Sequence, residues 1–594
     1  MNKIRPLFPY LRRYWKHFAW GGVAVIAYNA FRVLIPRIVG HAVDDMKNGV
    51  TDTLIEHYAL RLLGLAALAG VFLYVTRQVI IGASREIEYD LRNDLFSNLS
   101  RQSASYYHTH RTGDIMARTT NDLNAVRQLL GPAIMYSANC LVFTAAALPF
   151  MVRISPMLTL YVVGPLPLAS VLLQAFGQRI HRRFELIQAQ FSDISAQAQE
   201  NFSGARLIRA FAQEDAEIAR FEAANREYIS RSLLLVRLMA MLWPSLEVVL
   251  GLGSFLTLLV GGHMVIEHRI SVGDFTAFSV YVLQMFWPMI ALGYVVNLFQ
   301  RGTASVVRID ELLKQKPEIA DARAATKAGA PHLSEMWDGD PLPLKGQITF
   351  RNLSFTYPTG GREVLHNISL DIPAGSSLAI VGPTGSGKST LVSLIPRLFD
   401  AAEGSVLIDG VPVRKLPLED LRRNIGFVPQ ETYLFSSTIA ENIAFGRPDA
   451  TAPEILEAAT TAHIADEILE FPRGFETAVG ERGITLSGGQ KQRTAIARAL
   501  VRNPPILILD DALASVDTYT EEKILSGLRE VMRGRTTIFI SHRISTARNA
   551  DRIAVLVGGR IAEVGTHDEL LARNGFYTAL AEKQQLEEEL AVAT

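Results

Sequence analysis

A glycine-rich run with one lysine, GPTGSGKST at residues 382–390, has the composition and spacing of a phosphate-binding loop. Its glycines allow backbone amides to curl around phosphate oxygens, the lysine can reach the outer phosphates, and the serine after it can bind Mg²⁺. A β-rich stretch precedes the run and a helical stretch follows it, as this loop requires. The predicted nucleotide ligands are Gly382, Pro383, Thr384, Gly385, Ser386, Gly387, Lys388, Ser389 and Thr390.

Two carboxylates follow a second apolar strand, in ILILDDALASVD at residues 506–517. Four consecutive branched aliphatic residues are typical of a strand covered on both faces. Asp510 and Asp511 therefore leave its carboxyl end together, where open α/β sheets bind their ligands. Asp510, with Ser389, is predicted to hold the magnesium ion. Asp511 is a candidate catalytic base.

A second helix that starts with glycines occurs in TLSGGQKQRTAIARAL. Ser487, Gly488, Gly489 and Gln490 begin it, so its N-terminus offers another phosphate-binding site about 100 residues after the first. One domain cannot easily aim both helix N-termini at one γ-phosphate, whereas two domains that face head to tail can each complete the other's site. The pattern therefore predicts a dimer with composite sites.

The composition is that of a membrane protein. The 594-residue chain is 49% hydrophobic with a mean hydropathy of +0.17, which is too apolar for an ordinary soluble protein. Its 59 basic and 59 acidic residues give a net charge of zero, so no overall field favours nucleic acid as a partner. The single cysteine, Cys140, excludes an intrachain disulfide and offers no metal-site spacing.

Residues 1–312 contain six apolar stretches long enough to cross about 30 Å of hydrocarbon as helices. They are predicted at 18–39, 58–82, 131–152, 154–176, 238–266 and 274–299. The long polar gaps at 83–130 and 177–237, predicted to be helical extensions, carry six and nine arginines. The positive-inside rule therefore places these gaps and both termini in the cytoplasm. A bacterial inner (plasma) membrane is the expected location.

The rest of the chain has a different character. Residues 313–345 lose all periodicity and collect proline, glycine and alanine, which is typical of a linker. From 346 to 582, short β-rich runs alternate with amphipathic helices, which indicates a soluble α/β domain. The last residues, 583–594, are predicted to form a charged, fraying helical tail.

With these motifs in this order, the chain resembles the ATP-binding cassette transporters, specifically exporters that fuse six transmembrane helices to one nucleotide-binding domain. The resemblance covers nearly the whole chain. It implies a type I exporter fold, in which a helical membrane domain with long cytoplasmic extensions is fused to an α/β P-loop domain, and it implies ATP and Mg²⁺ as ligands. The segments at 111–122 and 204–215 resemble the loops that couple the two domains, and VGERG at 479–483 resembles the segment before the signature.

The resemblance also implies roles for single residues. Tyr357 in FTYP matches the aromatic residue that stacks on adenine, and Gln430 in FVPQE matches the glutamine between magnesium and the membrane domain. His542 in ISHR matches the switch histidine that contacts the γ-phosphate. Asp511, His542 and Gln430 are the predicted catalytic residues, and Ser389, Gln430 and Asp510 the predicted metal ligands.

The chain departs from the family at Asp511, where a glutamate usually polarises the attacking water. A base must lie about 2.6 to 3.2 Å from its proton, and a misplacement of about 1 Å can cost of order 10²-fold in rate. Asp511 is therefore predicted to be a poor base, and Ala514 replaces the usual serine of the next loop. This favours a heterodimer with a second half-transporter that carries the glutamate; a slow homodimer is the alternative.

Two charges are predicted inside the membrane. At about 1.5 Å per residue, Arg32 lies about 18 Å along the first helix from Trp20, and Glu247 about 15 Å along the fifth from Arg237. Such charges need a partner or water, so the two either pair or line a cavity for a charged amphiphile. The expected substrates are hydrophobic or amphipathic small molecules of the multidrug type. A lipid-translocating homodimer and a regulatory ATP-binding subunit are the alternatives.

Overall fold

The computed structural model describes residues 2–47, 49, 51–164, 166–320, 343–358, 360–480, 483–512, 524, 527 and 530–593. The chain divides into two compact units, Met1–Ser100 with Thr112–Gln315, and Arg101–Arg111 with Lys316–Thr594. The short segment Arg101–Arg111 thus groups with the second unit, although the sequence placed it in the membrane domain. The predicted boundaries at 312, 345 and 582 stay predictions, because most of the linker lies outside the described residues.

The first unit is built from long helices. They are α1 (Trp15–Lys47), α2 (Asp52–Leu99), α3 (Thr112–Ile154), α4 (Pro156–Val163), α5 (Leu166–Ser203), α6 (Glu214–Ile266) and α7 (Val272–Lys314). The shorter helical segments are Asn2–Leu7, Phe8–Arg13 and Ala205–Ala210, and π-helical turns interrupt α3 and α6 at Arg118–Asp122, Leu129–Ala133 and Thr257–Gly261. In the described part of the chain, α1, α2, α3, α6 and α7 are long and apolar enough to cross a membrane.

Five of the six predicted spans fall inside these five helices. The remaining span, 154–176, starts where α3 ends. Ser155 accepts a hydrogen bond from the Leu158 amide through its Oγ at 3.2 Å, and Pro156 occupies the first turn of α4. An N-cap serine and an N-terminal proline both favour a new helix at this point. Helix α4 and the start of α5 cover the span, and residue 165 between them lies outside the described residues.

Helices α2 and α6 are longer than a membrane requires. They contain 48 and 53 residues, which at about 1.5 Å per residue correspond to about 72 and 80 Å, against about 30 Å of hydrocarbon. These helices therefore continue well beyond the apolar windows, as the sequence predicted for the polar gaps.

Helices α1, α3 and α7 pack around Tyr281, which is fully buried and donates a hydrogen bond to the Val33 carbonyl at 2.7 Å. Nearby, α1 and α7 cross closely: a β-carbon at Gly273 would lie 2.0 Å from the Gly40 carbonyl oxygen. The Asp44 carboxylate fixes this crossing, because it accepts hydrogen bonds from the Gly273 amide at 2.6 Å and the Ser271 hydroxyl at 2.5 Å.

The second unit contains two sheets. The strands are β1 (Ile348–Thr356), β2 (Glu363–Ile372), β3 (Ser377–Val381), β4 (Val406–Ile408), β5 (Val411–Pro412), β6 (Ile425–Val428), β7 (Ile506–Asp510), β8 (Thr536–Ile540), β9 (Arg552–Val557) and β10 (Arg560–Gly565). A four-stranded antiparallel sheet has the order β2-β1-β4-β5, and a six-stranded sheet has the order β10-β9-β3-β8-β7-β6. In the larger sheet only β10 is antiparallel to its neighbour.

The helices of this unit are short. They are Ala104–Thr109, α8 (Lys388–Ser393), α9 (Leu418–Arg423), α10 (Ile439–Ala444), α11 (Ala452–Thr461), α12 (Ala465–Glu470), α13 (Gly488–Leu500), α14 (Ile544–Ala547), α15 (His567–Ala572) and α16 (Phe576–Ala593), with a 3₁₀ turn at Gly474–Glu476. His108 of the first helix stacks on Phe399 with 6.2 Å between ring centroids.

The larger sheet is buried on both faces, which explains its continuous aliphatic runs. Successive side chains of β3 point to opposite faces: Leu378 and Ile380 pack with the antiparallel sheet, whereas Ala379 and Val381 pack with the helices around α13. Strands β3 and β7 are therefore held rigidly, and they fix the positions at which the loops after them begin.

Candidate nucleotide site

The loop between β3 and α8 requires glycine at two positions. Gly382 and Gly387 have φ angles of +150° and +98°, in the region that favours glycine. A β-carbon at Gly382 would lie 2.1 Å from the Leu556 carbonyl oxygen, and one at Gly387 would lie 2.8 Å from the Leu365 side chain. Both the backbone conformation and the available space therefore exclude other residue types.

The Lys388 ammonium is held inside this loop. Its Nζ donates hydrogen bonds to the carbonyl oxygens of Gly382 and Pro383, both at 2.9 Å, and the residue is only 6% exposed. Burial lowers the pKa of Lys388, while the carboxylates of Asp511 and Asp510 act in the opposite direction. The loop thus positions a positive charge where a phosphate chain would lie.

Ser389 and Asp510 meet although 121 positions separate them. The Ser389 hydroxyl donates a hydrogen bond to the Asp510 carboxylate at 2.9 Å. Burial raises the pKa of Asp510, which is 4% exposed, whereas the Ser389 hydrogen bond and the nearby Lys388 charge lower it. Mg²⁺ prefers oxygen ligands and usually takes one or two from the protein. This hydroxyl and carboxylate therefore fit a magnesium ion that accompanies a nucleotide.

A cleft of about 190 Å³ opens at this end of the sheet. Gln430, Asp510 and His542 line it together with the P-loop. From the predicted P-loop ligands, the lining includes Thr384, Gly385, Gly387, Lys388, Ser389 and Thr390. Chain segments far apart in sequence thus converge on one concave surface that carries a lysine, a carboxylate, an amide and an imidazole.

Tyr357 lies beside the P-loop helix rather than in the lining of the cleft. Its hydroxyl is hydrogen-bonded to the Thr390 hydroxyl at 2.8 Å. Its ring packs edge-on against Phe355 and Phe399, with centroids 5.0 and 5.1 Å away. Stacking of Tyr357 on adenine stays a prediction.

Asp511 is positioned differently from Asp510. Its φ angle is +50°, a left-handed conformation that aspartate tolerates better than most residues. Its amide donates to the Ile540 carbonyl at 3.2 Å, and its carboxylate accepts a long hydrogen bond of 3.5 Å from the Gln430 side chain. Asp511 is absent from the described residues that line the cleft.

The four signature residues begin α13 as predicted from their pattern. The Ser487 hydroxyl accepts from the Gln490 amide at 3.2 Å, and the Gln490 side chain accepts from the Ser487 amide at 2.9 Å, which forms a reciprocal capping box. Glu467 accepts from the Gln490 side chain at 2.9 Å and also pairs with Arg493. Ser487 and Gly488 are exposed, and the cleft lining does not include any residue of 487–490.

Gln584 was not among the residues predicted from the sequence. This residue lies on α16, within the predicted tail, yet its side chain contacts the backbone of His542 and of Ile544. Its Nε2 donates to the His542 carbonyl oxygen, and its Oε1 accepts from the Ile544 amide at 2.8 Å. A glutamine in a polar helical tail carries no sequence signal for such a contact, because the partner atoms belong to the backbone.

We expect Gln584→Glu to lower ATP turnover by roughly threefold to tenfold. The substitution keeps the acceptor for the Ile544 amide but removes the donor to the His542 carbonyl, and one hydrogen bond contributes about 1 kcal/mol. Steady-state turnover and hydrogen exchange of the Ile544 amide would measure this. Gln584→Ala should also deprotect that amide, whereas Glu582→Gln, an exposed neighbour on the same helix, should change neither. Unchanged turnover in both Gln584 variants would show that the contact does not position the histidine.

The intramembrane pair is not formed within the chain. Arg32 lies with its guanidinium 4.5 Å from the Phe143 ring centroid, and its Nη1 donates a long hydrogen bond of 3.5 Å to the Tyr28 hydroxyl. Glu247 is exposed on α6, and among the described residues no ion pair joins it to Arg32. The reason is geometric: depth along two helices does not determine which way each side chain points.

Several predicted segments stand partly or wholly outside the described residues. Ala514 lies in the stretch after β7 that is not described. Two residues of the 479–483 segment, 481 and 482, also lie outside the described residues. The segments at 111–122 and 204–215 contain the short helices Thr112–Ala117 and Ala205–Ala210. Their coupling role stays a prediction.

Known families and proteins that are similar to this chain contain the same kind of nucleotide-binding domain. The ABC transporter transmembrane region matches residues 18–289, and the ABC transporter family matches residues 365–514. The multidrug resistance-like ATP-binding protein MdlA of Escherichia coli is 38% identical over 99% of this chain and 97% of its own. The ATP-dependent lipid A-core flippase of Syntrophus aciditrophicus is 35% identical over 99% and 96%.

A solved structure of a bacterial Atm1-family ABC exporter with ATP bound has 31% identity and a TM-score of 0.76, over 97% of this chain and 98% of that one. These likenesses extend over both units and confirm the predicted fold class. The chain therefore belongs to the ABC transporters, as an integral membrane exporter of the type I fold with its ATP-binding domain on the cytoplasmic side.

Proposed function

We propose that this chain is one half of a heterodimeric exporter that uses ATP to move hydrophobic or amphipathic small molecules of the multidrug type out of the cell. In this proposal its own P-loop site mainly holds ATP, and its signature completes the hydrolysing site of a partner half-transporter that carries a glutamate. The name of MdlA, a relative along nearly the whole chain, supports the multidrug class.

The observation that carries the proposal is the contrast between Asp510 and Asp511. Asp510 lines the cleft and accepts a hydrogen bond from Ser389 at 2.9 Å, whereas the Asp511 carboxylate has only a long contact of 3.5 Å with Gln430 and is one methylene shorter than glutamate. A carboxylate displaced by about 1 Å from its proton loses of order 10²-fold in rate. This contrast supports the proposal that the site binds ATP but hydrolyses it slowly.

The exposure of the signature supports a composite site. Ser487 and Gly488 face solvent, and the capping box already fixes the backbone of the first turn of α13. This helix end, with its unsatisfied amides, suits a phosphate delivered from outside the chain. A second nucleotide-binding domain that faces this surface would supply one.

In the proposed mechanism, the P-loop amides and Lys388 orient the phosphates, and Ser389, Gln430 and Asp510 would hold Mg²⁺. Magnesium, when bound, would neutralise charge on the β and γ oxygens. His542 lines the cleft, where its imidazole would hydrogen-bond the γ-phosphate. Gln584 restrains the loop that carries this histidine.

A lipid-translocating homodimer is the second candidate. The lipid A-core flippase of Syntrophus aciditrophicus, also similar along nearly the whole chain, favours it. In that case the two copies of Asp511 would serve as the bases. Turnover would be slow, and each site would depend on its Asp511.

We expect the chain purified alone to hydrolyse ATP slowly, and Asp511→Glu to raise its turnover by on the order of 10-fold to 10²-fold, because the longer side chain moves the carboxylate toward the cleft. Thermal stability should fall by about 1 kcal/mol, because glutamate tolerates the left-handed backbone less well. Asp511→Asn is the matched control and should lower the residual rate. If Asp511→Glu left a brisk rate unchanged, Asp511 would already be a competent base and the homodimer would be favoured.

A further inference from the structure

Two arginines of α1 lie over phenylalanine rings of α3. The guanidinium carbon of Arg32 is 4.5 Å from the Phe143 ring centroid, and that of Arg37 is 5.7 Å from the Phe150 centroid. Phe143 and Phe150 are seven positions apart, which is two helical turns, so they occupy the same face of α3. The two cations therefore follow one line along the contact between α1 and α3.

In the part of the chain that the structure describes, neither arginine has a carboxylate partner. Among the described residues, no acidic oxygen lies within ion-pair distance of Arg32 or Arg37, and the one hydrogen bond of Arg32 is the long contact to Tyr28. Arg32 lies at the middle of the 33-residue helix α1, where a charge without a partner is costly. A guanidinium has five N–H donors, so most of those on Arg32 remain available to a ligand.

The line of arginines leads to a cavity. Arg37 and Arg153 line a cavity of about 90 Å³ at the end of α3, together with His41, Asp44 and Asp274. By the predicted topology this is the outer side of the membrane. The Asp44 carboxylate is occupied by the Gly273 amide and the Ser271 hydroxyl, and Asp274 is exposed at the start of α7. Both arginine side chains therefore face the cavity without a bound counter-ion from the described chain.

We propose that Arg32, Arg37 and Arg153, here called the arginine seam, bind the anionic group of the exported amphiphile as it moves from mid-membrane to the outer cavity. The ligand class is a phosphate or carboxylate joined to an apolar body. Guanidinium groups bind both anions in a bidentate manner, and the half-buried Phe150 ring offers apolar surface beside Arg37, whereas Phe143 is fully buried. This inference rests on the proposed export function and specifies the charge of its substrate.

The test uses the full-length transporter in nanodiscs of phosphatidylcholine and two fluorescent probes with the same alkyl tail, one ending in phosphate and one in trimethylammonium. We expect Arg32→Gln to weaken the affinity for the phosphate probe by about tenfold or more, because charge-assisted hydrogen bonds are lost. The affinity for the trimethylammonium probe should stay unchanged. Arg32→Lys should retain part of the phosphate affinity. The matched control is Arg61→Gln, since Arg61 also lies over a ring, that of Tyr58 at 6.0 Å, but on α2.

A lipid phosphate and a transported phosphate share this chemistry, and a second arm separates them. If a lipid headgroup occupies the arginine seam, adding phosphatidylglycerol to the nanodiscs should weaken the affinity of the parent protein for the phosphate probe. The affinity of Arg32→Gln should then not change. No effect of phosphatidylglycerol would assign the site to the transported compound. Both results support an anion site and identify its occupant.

Equal loss of both probes, or unchanged phosphate affinity in both Arg32→Gln and Arg37→Gln, would overturn the inference. If Arg32→Gln does not fold, Arg32→Lys and Arg37→Gln decide the question alone. ATP-driven accumulation of the trimethylammonium probe in proteoliposomes distinguishes failure of the anion site from failure of the export function. If it persists while the arginine variants have no effect, export stands and the arginine seam falls; if neither probe accumulates with ATP, the export proposal itself is wrong.

Discussion

Lys388→Ala should abolish ATP-dependent thermal protection of this chain and reduce the turnover of its own site by about 10²-fold or more, the order expected when a charge that stabilises transferring oxygens is lost. The Lys388 ammonium is buried in the P-loop and is held by two carbonyl oxygens, Gly382 and Pro383. Both of these contacts lie within the loop itself, so removal of the ammonium should affect nucleotide binding more than global stability. The measurement is the shift in melting temperature with MgATP, beside steady-state hydrolysis.

Lys415→Ala is the matched control for Lys388→Ala, because Lys415 is an exposed lysine of the same domain. It should keep the full shift with MgATP. A Lys388→Ala protein that was protected by MgATP as strongly as the parent would place the phosphate chain elsewhere and contradict the assigned site.

Ser487→Arg should reduce the turnover of the assembled transporter by about 10²-fold or more, because a bulky cation would displace the partner's phosphates from the end of α13. The same variant should still bind ATP at its own P-loop, since Ser487 does not line that cleft. Loss of turnover with retained MgATP protection is therefore the expected combination. Hydrolysis and melting temperature, measured on one preparation, would test it.

The capping box at Ser487 has a close counterpart in the chain. Thr566 caps α15 and exchanges hydrogen bonds with Glu569 in the same way. Thr566→Arg should cost a similar amount of stability, about 1 kcal/mol, without affecting turnover. If both variants lost turnover equally, the effect at Ser487 would be structural rather than a consequence of lost phosphate contact.

Asp511→Asn then separates the two assemblies. In a heterodimer with a glutamate-bearing partner it should change turnover little, because the main base belongs to the other chain. In a homodimer it should remove the base from both sites. A large loss with Asp511→Asn in the native assembly would therefore reject the asymmetric proposal, whatever the result for Ser487→Arg.

The local parts of the nucleotide site could be predicted because each is encoded in a short run. The P-loop needs left-handed glycines, a lysine and a hydroxyl within nine positions, and its backbone geometry at Gly382 and Gly387 demands those residue types. Asp510 was predictable because a strand buried on both faces must end in polar residues at the sheet edge. The contact of Ser389 with Asp510 follows once both strands are placed in one parallel sheet.

Contacts that depend on how a helix is rotated could not be predicted. Arg32 and Glu247 were expected at similar depth, but depth is a distance along an axis and says nothing about direction around it, so Arg32 instead meets Phe143. Gln584 reaches backbone atoms, which every residue has, so no partner type signals the contact. The start of α4 was easier to predict, because Ser155 and Pro156 mark it in the sequence.

The contact of Gln584 with the histidine loop has a practical consequence for how the protein is handled. Helix α16 carries Gln584 and runs to Ala593, so a fusion that disturbs this helix would also release the backbone around His542. Such a preparation would show low turnover for a reason that has nothing to do with Asp511. A tag at the opposite end of the polypeptide, removed by a protease before the assay, would keep the two effects apart.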